Sequence, residues 1–396
     1  MILNFVVYPI EKFDTNKEDK MGCIHSSQEN SNAKALKSLG TSGIVKNYRT
    51  VKELKDAMQV SGVMEDINVL VFFDMTKSNN WTGEDTFHGK NLHDVHMGTN
   101  RYIQGFRSLK KFIRTDQDGH FALYSYGSNT AWKQEGKVLF HGMCKSVDGL
   151  VSTYSAYVHD CDATGRPLKL KESALNDMAG PTTLKYIIDE GQRVTEATGR
   201  YHICLVFTDG DPDERYRDEN IYEVYDCAKH PTKNPMSLVV VGVGDGISYT
   251  DKNGKPAHGF PFYERLDDND AKLMKIRPES LRNIQKRVGM TKKPDNFQFV
   301  DLERDILKGA EMTADLEDNF WKSAFMEVPN HYTWLKKHGY SPKYGNFVHP
   351  TPNGAFLAAG EHPQPVQQMG FVVPATVPTV PASAPPLPPT AYGNAI

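Results

Sequence analysis

Five oxygen-bearing side chains, Asp74, Thr76, Ser78, Thr182 and Asp209, have the types and spacing of a cation site. The first three alternate within the single stretch DMTKS, so they can turn toward one point from one loop. Thr182 follows Gly180-Pro181 and Asp209 precedes Gly210, and glycine permits close backbone approach at both places. Two carboxylates and three hydroxyls are hard ligands that suit Mg²⁺, or Mn²⁺ in its place, with a coordination position left open. Taken singly, Asp74 and Asp209 read more simply as helix N-caps at strand-to-helix turns, and only the combination points to a metal. A phosphotransferase aspartate motif would need a second carboxylate at position 76, where threonine stands. No nucleophile or general base accompanies the set, so it offers binding rather than catalysis.

These residues converge only if the chain builds the right scaffold. Residues 68–73 (NVLVFF), 201–208 (YHICLVFT) and 236–243 (MSLVVVGV) are apolar runs of strand length, as expected of strands covered on both faces. Strand character also marks 120–126 and 296–302. Helical periodicity marks the stretch from Val51 ending on Gly62, and 101–113, 182–197, 219–228 and 314–326. The alternation predicts an α/β fold: a doubly wound, mostly parallel sheet with helices on both faces. In such a sheet ligands bind beyond the carboxyl ends of the strands, which is where Asp74 and Asp209 fall.

The expected organisation is a flexible segment over 1–47, a domain over 48–340 and a disordered tail over 341–396. Residues 350–396 hold eleven of the 23 prolines, and Pro385-Pro386-Leu387-Pro388-Pro389 offers P-x-x-P spacing for an SH3 or WW partner. The net charge of -3 with dispersed basic residues gives no electrostatic footprint for nucleic acid. Five cysteines, Cys23, Cys144, Cys161, Cys204 and Cys227, lie far apart, which argues against a disulfide framework or a zinc ribbon and for a reducing, cytoplasmic setting, with the nucleus also open. No apolar run reaches the roughly 18 to 20 residues of a membrane-spanning helix. MGCIHSS, from Met21, is a myristoylation signal at Gly22 with Cys23 beside it for palmitate. It would tether the chain to the plasma membrane if translation starts at Met21.

Weaker patterns resolve into simpler readings. Gly242, Gly244 and Gly246 have G-x-G-x-G spacing and no helix after them, so they do not make a dinucleotide loop. DGDPDE lacks the glycine and the bidentate glutamate of an EF-hand. His88, His93 and His96 read as a solvated loop, Cys204 as core, and Cys144 and Cys161 as the accessible thiols.

NVLVFFDMTKSNNWTG, AGPTTL, HICLVFTDG and SLVVVGVGDG together resemble the copine branch of von Willebrand factor A domains. DNFQFVDL and FMEVPNHY add two blocks similar to the copine-like domain of plant RING-type ubiquitin ligases. The resemblance covers about residues 48–340, with six blocks in the family's order. It implies a metal-ion-dependent adhesion site with Asp74, Thr76 and Ser78 as its first loop, Thr182 as its second and Asp209 as its third. A protein partner's carboxylate would complete the metal's coordination there. Two departures limit what is inherited. The stretch before Val51 is too short for the C2 domains of copines proper, and no cysteine follows Cys227 to build a RING. The expected role is a metal-dependent scaffold or adaptor, and the alternative is a part in ubiquitin transfer.

Overall fold

A computed structural model describes residues 48–95, 100–111, 121–159, 174–251, 253–268 and 296–343, with residues 283 and 286 and the short pieces 349–351 and 356–357. These described residues fall in one compact unit that begins at Tyr48. Gly22, Cys23, His96, Cys161 and the proline run at 385–389 lie outside them.

In chain order the elements are α1 (Val51–Ser61), β1 (Val69–Asp74), α2 (Arg101–Ser108), β2 (Phe121–Tyr126), α3 (Asn129–Lys133), β3 (Val138–Cys144), α4 (Val147–Val158), α5 (Lys185–Thr198), β4 (His202–Thr208), α6 (Arg217–Lys229), β5 (Met236–Gly242), β6 (Ile247–Thr250), β7 (Pro256–Gly259), α7 (Pro261–Asp267), β8 (Phe297–Asp301), α8 (Ala314–Phe325), α9 (Val328–Lys337), β9 (His349–Pro350) and β10 (Phe356–Leu357). Six strands form the main sheet in the order β3-β2-β1-β4-β5-β8. All its pairings are parallel except β2 with β3. The doubly wound, mostly parallel sheet expected from the sequence is therefore present.

The apolar runs explain the layering. In β1, Val69, Val71 and Phe73 point into a core shared with α1, α2, α4, α8 and α9, whereas Leu70 and Phe72 point into a second core under α5, α6 and α7. Every residue of β1, β4 and β5 is buried, which only helices on both faces can achieve.

Three expectations change. The helix drawn from Thr182 begins at Lys185, whose N–H donates to the nearby Thr183 hydroxyl at 3.3 Å. Asn220 of α6 reaches across, and its Oδ1 accepts the N–H groups of Leu184 at 2.8 Å and Lys185 at 3.1 Å. The antiparallel edge strand β3 and helix α4 were not foreseen. In β3 the burial is irregular around His141 and Gly142, so neither alternation nor an apolar run marks it.

Packing also reaches past the expected limit at Tyr340. His349 is fully buried and its ring stacks on Phe140 at 4.5 Å. The Arg193 guanidinium donates to the carbonyls of Pro350 at 2.6 Å and Thr351 at 3.4 Å. Residues 349–351 thus form a strap across the α5 face, while Tyr340 belongs to the opposite core, where its hydroxyl donates to Asp66.

Candidate metal centre

The sheet reverses its strand order between β1 and β4, and that crevice is where a doubly wound sheet binds its ligands. Asp74 closes β1 and Asp209 follows Thr208, the last residue of β4. Both aspartates are fully buried.

Asp209 Oδ1 accepts hydrogen bonds from the Ser78 hydroxyl at 3.0 Å and the Thr76 hydroxyl at 3.3 Å, and those two hydroxyls lie 2.9 Å apart. Its Oδ2 accepts from the Thr82 hydroxyl at 2.8 Å. Asp74 sits behind this group. Its Oδ1 accepts from the Thr76 amide at 2.7 Å, and its Oδ2 accepts from the hydroxyls of Tyr126 and Thr208, each at 3.0 Å. Four of the five expected residues are thus joined in one hydrogen-bonded cluster.

The fifth, Thr182, is brought alongside by backbone. The Lys77 amide donates to the Ala179 carbonyl at 2.8 Å, and the Asp213 amide donates to the Thr182 carbonyl at 3.2 Å. Residues 179–182 therefore lie between the first and third loops. Among the described hydrogen bonds, none joins the Thr182 hydroxyl to the other four residues.

Close approach in this region needs Gly127, where φ is 82° and a Cβ would sit 2.5 Å from the Thr76 methyl. Any side chain there would push the DMTKS loop off the sheet.

The electrostatics are unusual for groups with no cationic partner among the described ion pairs. Burial raises the carboxyl pKa of Asp74. Burial first, and then the charge of Asp74, pushes that of Asp209 well above the carboxylate range. A divalent cation held by these residues would lower both carboxyl pKa values.

The donors fit such an ion. Octahedral coordination at Mg²⁺–oxygen distances of about 2.1 Å places neighbouring ligands about 3 Å apart. The oxygens of Thr76, Ser78 and Asp209 already form a triangle with sides of 2.9, 3.0 and 3.3 Å. Among the described residues no cluster of three or more His, Cys, Asp or Glu side chains could hold a metal, so the hydroxyls are needed here.

Several residues of this site escaped the sequence reading. Thr82, Tyr126 and Thr208 bind the aspartates directly, and the last two end the strands flanking or pairing with β1, so the strand-end rule alone would find them. His93 carries no such signal. It is fully buried rather than solvated, and its ring stacks on Tyr102 at 4.6 Å. Nε2 faces the Asp74 carbonyl at 2.8 Å, an acceptor only, so that nitrogen carries the proton. Nδ1 is then the acceptor for the Tyr154 hydroxyl at 2.8 Å. Burial holds the imidazole down to about 3, so it is neutral near neutral pH. Tyr102 and Asn79 add to the brace: Tyr102 donates to Asn79 Oδ1 at 2.7 Å, and Asn79 Nδ2 donates to the Thr76 carbonyl at 3.1 Å.

The other signals read from sequence fall away from this site. Gly242 packs against the Phe260 ring, and Gly244 and Gly246 hold positive φ in a tight loop. Cys204 is core, as expected. Cys144 is not accessible: it is 3% exposed, and burial pushes its thiol up to about 11, which suppresses the reactive thiolate.

The sequence profile of the copine family matches residues 91–343, beginning after the DMTKS loop. The chain is 26% identical over 348 residues to "E3 ubiquitin-protein ligase RGLG2" of Arabidopsis thaliana, covering 83% of this chain and 64% of that protein. It is 28% identical over 301 residues to RGLG5 of the same plant, covering 74% of this chain and 58% of that protein. The chain thus spans about three fifths of the length of these relatives. "Copine family protein 2" of Caenorhabditis elegans is 26% identical over 317 residues, covering 79% of this chain and 3% of that protein. Among solved structures, a von Willebrand factor type A protein from Catenulispora acidiphila aligns at 11% identity and a TM-score of 0.28, over 68% of this chain and 43% of that one. With the family profile spanning well over half of its length, the chain belongs to the copine family.

Proposed function

We propose that the chain is a metal-dependent protein-binding module, an adaptor whose recognising face is the cluster around Asp74 and Asp209. The observation that carries the reading is the triangle of oxygens from Thr76, Ser78 and Asp209 beside a second buried carboxylate. On this reading Mg²⁺ or Mn²⁺ is held by Thr76, Ser78, Asp209 and Asp74, with Thr182 adjacent, and supplies a Lewis-acidic position for a partner's carboxylate. Membership of the copine family supports a protein partner in general terms.

The test is thermal unfolding with and without metal. A ligand at about 100 times its Kd stabilises by about 2.7 kcal/mol, so Mg²⁺ or Mn²⁺ should raise the wild-type Tm measurably. Asp74→Ala and Asp209→Ala should lose that rise, and an equal rise in both variants would sink the assignment.

A second reading, a part in ubiquitin transfer, is favoured by the similarity to the Arabidopsis ubiquitin-protein ligases. In that setting the chain acts as the adaptor and a bound enzyme performs the transfer. Cys144, Cys204 and Cys227 are all buried, which supports leaving the chemistry to another protein.

A further inference from the structure

Beside the metal face lies a recess of about 580 Å³, lined by the loops that follow β1, β5 and β8. Its connection to the centre is direct. Thr82, whose hydroxyl binds Asp209, also accepts at its carbonyl the amide of Asp245 at 2.6 Å, and Asp245 lines the recess. The Asp245 carboxylate in turn accepts the amides of Asp85 at 2.8 Å and Thr86 at 2.9 Å, which fixes one wall.

The lining mixes polar with apolar surface and buried with exposed residues, and it is unbalanced in charge. Five carboxylates, from Asp85, Asp245, Asp301, Glu303 and Glu311, meet two guanidiniums, from Arg101 and Arg304. Both guanidiniums are already engaged. Arg101 pairs with Glu303 in the buried floor and reaches Gln104 at 3.0 Å, and Arg304 is shared among Asp301, Asp305 and Glu264. Among the described ion pairs, Asp85, Asp245 and Glu311 have no cationic partner. The Thr86 hydroxyl, on the same lining, has no hydrogen-bond partner among the described residues. Burial raises the carboxyl pKa of Glu303, the Arg101 guanidinium opposes the rise, and the charges of Asp301 and Asp245 add to it. The recess therefore attracts positive charge. With no cluster of metal-ligand geometry among the described residues, a side-chain cation suits it better than a second metal.

We propose that the recess admits a lysine or arginine side chain of the same partner whose carboxylate reaches the metal. The module then reads an acidic and a basic residue held near one another, rather than an acid alone. The inference rests on the proposed metal reading, and the experiment separates the two. A displayed library of random dodecapeptides is selected on the full chain in Mn²⁺ and sequenced, in parallel with Asp74→Ala and with the double variant Asp85→Lys, Glu311→Lys. The two lysines replace exposed residues, and the Asp85 amide that binds Asp245 is kept.

The expected result is enrichment of both Asp or Glu and Lys or Arg on the wild type. On the double variant the acid should persist while the base falls to library frequency. A purified acid-plus-base peptide should then bind the double variant about fivefold more weakly. Bases enriched without acids would uphold the recess and defeat the metal reading. Acids enriched with bases at library frequency would overturn the recess alone, as would base enrichment that survives both lysine substitutions. No enrichment of either kind would overturn both.

Discussion

Replacing His93 with phenylalanine tests whether the first loop is held from behind. Phenylalanine keeps an aromatic ring against Tyr102, now stacked at 4.6 Å, and removes both nitrogens. The Asp74 carbonyl then loses its donor at 2.8 Å and the Tyr154 hydroxyl loses its acceptor at 2.8 Å. Leaving a buried polar group unsatisfied costs about 1 to 3 kcal/mol. Here the carbonyl retains long contacts from the Tyr102 hydroxyl and Asn79 Nδ2, each at 3.5 Å, so the lower half of that range applies. The two losses together come to about 3 kcal/mol, which for a domain of this size lowers Tm by about 6 °C or a little more. Circular dichroism melts in EDTA read this without metal. Tyr154→Phe serves as the partner experiment, since it removes the bond to Nδ1 but leaves the donor to the Asp74 carbonyl in place, and it should cost about half as much. A His93→Phe protein melting within about 2 °C of wild type, or no lower than Tyr154→Phe, would refute the brace.

Two further outcomes follow from burial. His202 is fully buried, its Nδ1 lies 2.9 Å from the Arg200 carbonyl, and burial lowers its pKa to about 3. The native state keeps it neutral while the unfolded chain takes up a proton below about pH 6.5, so its stabilising contribution is full above that pH and drains as pH falls toward 3, by about 1.4 kcal/mol per unit. Urea titrations should therefore show the deficit of His202→Phe narrowing between about pH 7 and about pH 5, and a constant deficit would contradict neutral burial. For ubiquitin, the purified chain with activating enzyme, conjugating enzymes and ubiquitin should form no chains without an added ligase. Robust chain formation would overturn the adaptor reading.

What could be read from sequence followed physical regularity. Strands β1, β4 and β5 are apolar at nearly every position because both faces are covered, and their ends located Asp74 and Asp209. What escaped depended on distant partners. The start of α5 is held by Asn220, 35 residues beyond Lys185, as well as by the nearby Thr183 hydroxyl, and the contact with Asn220 has no local signal. His93 sits in a polar, glycine-containing stretch that reads as a surface loop, yet Tyr102, Tyr154 and the Asp74 carbonyl enclose it from three separate elements or loops. Strand β3 pairs antiparallel at the sheet edge, where half-burial and a central glycine blur its period.

The strap over α5 bears on where the chain can be cut. A fragment ending at Tyr340 would keep all six strands of the main sheet and nearly the whole segment by which the family is recognised. It would also strip His349 from Phe140 and from the Tyr124 hydroxyl, and take from Arg193 both carbonyls it holds. Such a fragment would carry an aromatic groove and a half-satisfied Glu190–Arg193 pair open to water, and its tendency to associate would be easily mistaken for native oligomerisation. Recombinant boundaries are better drawn beyond Leu357 than at the limit of the family match.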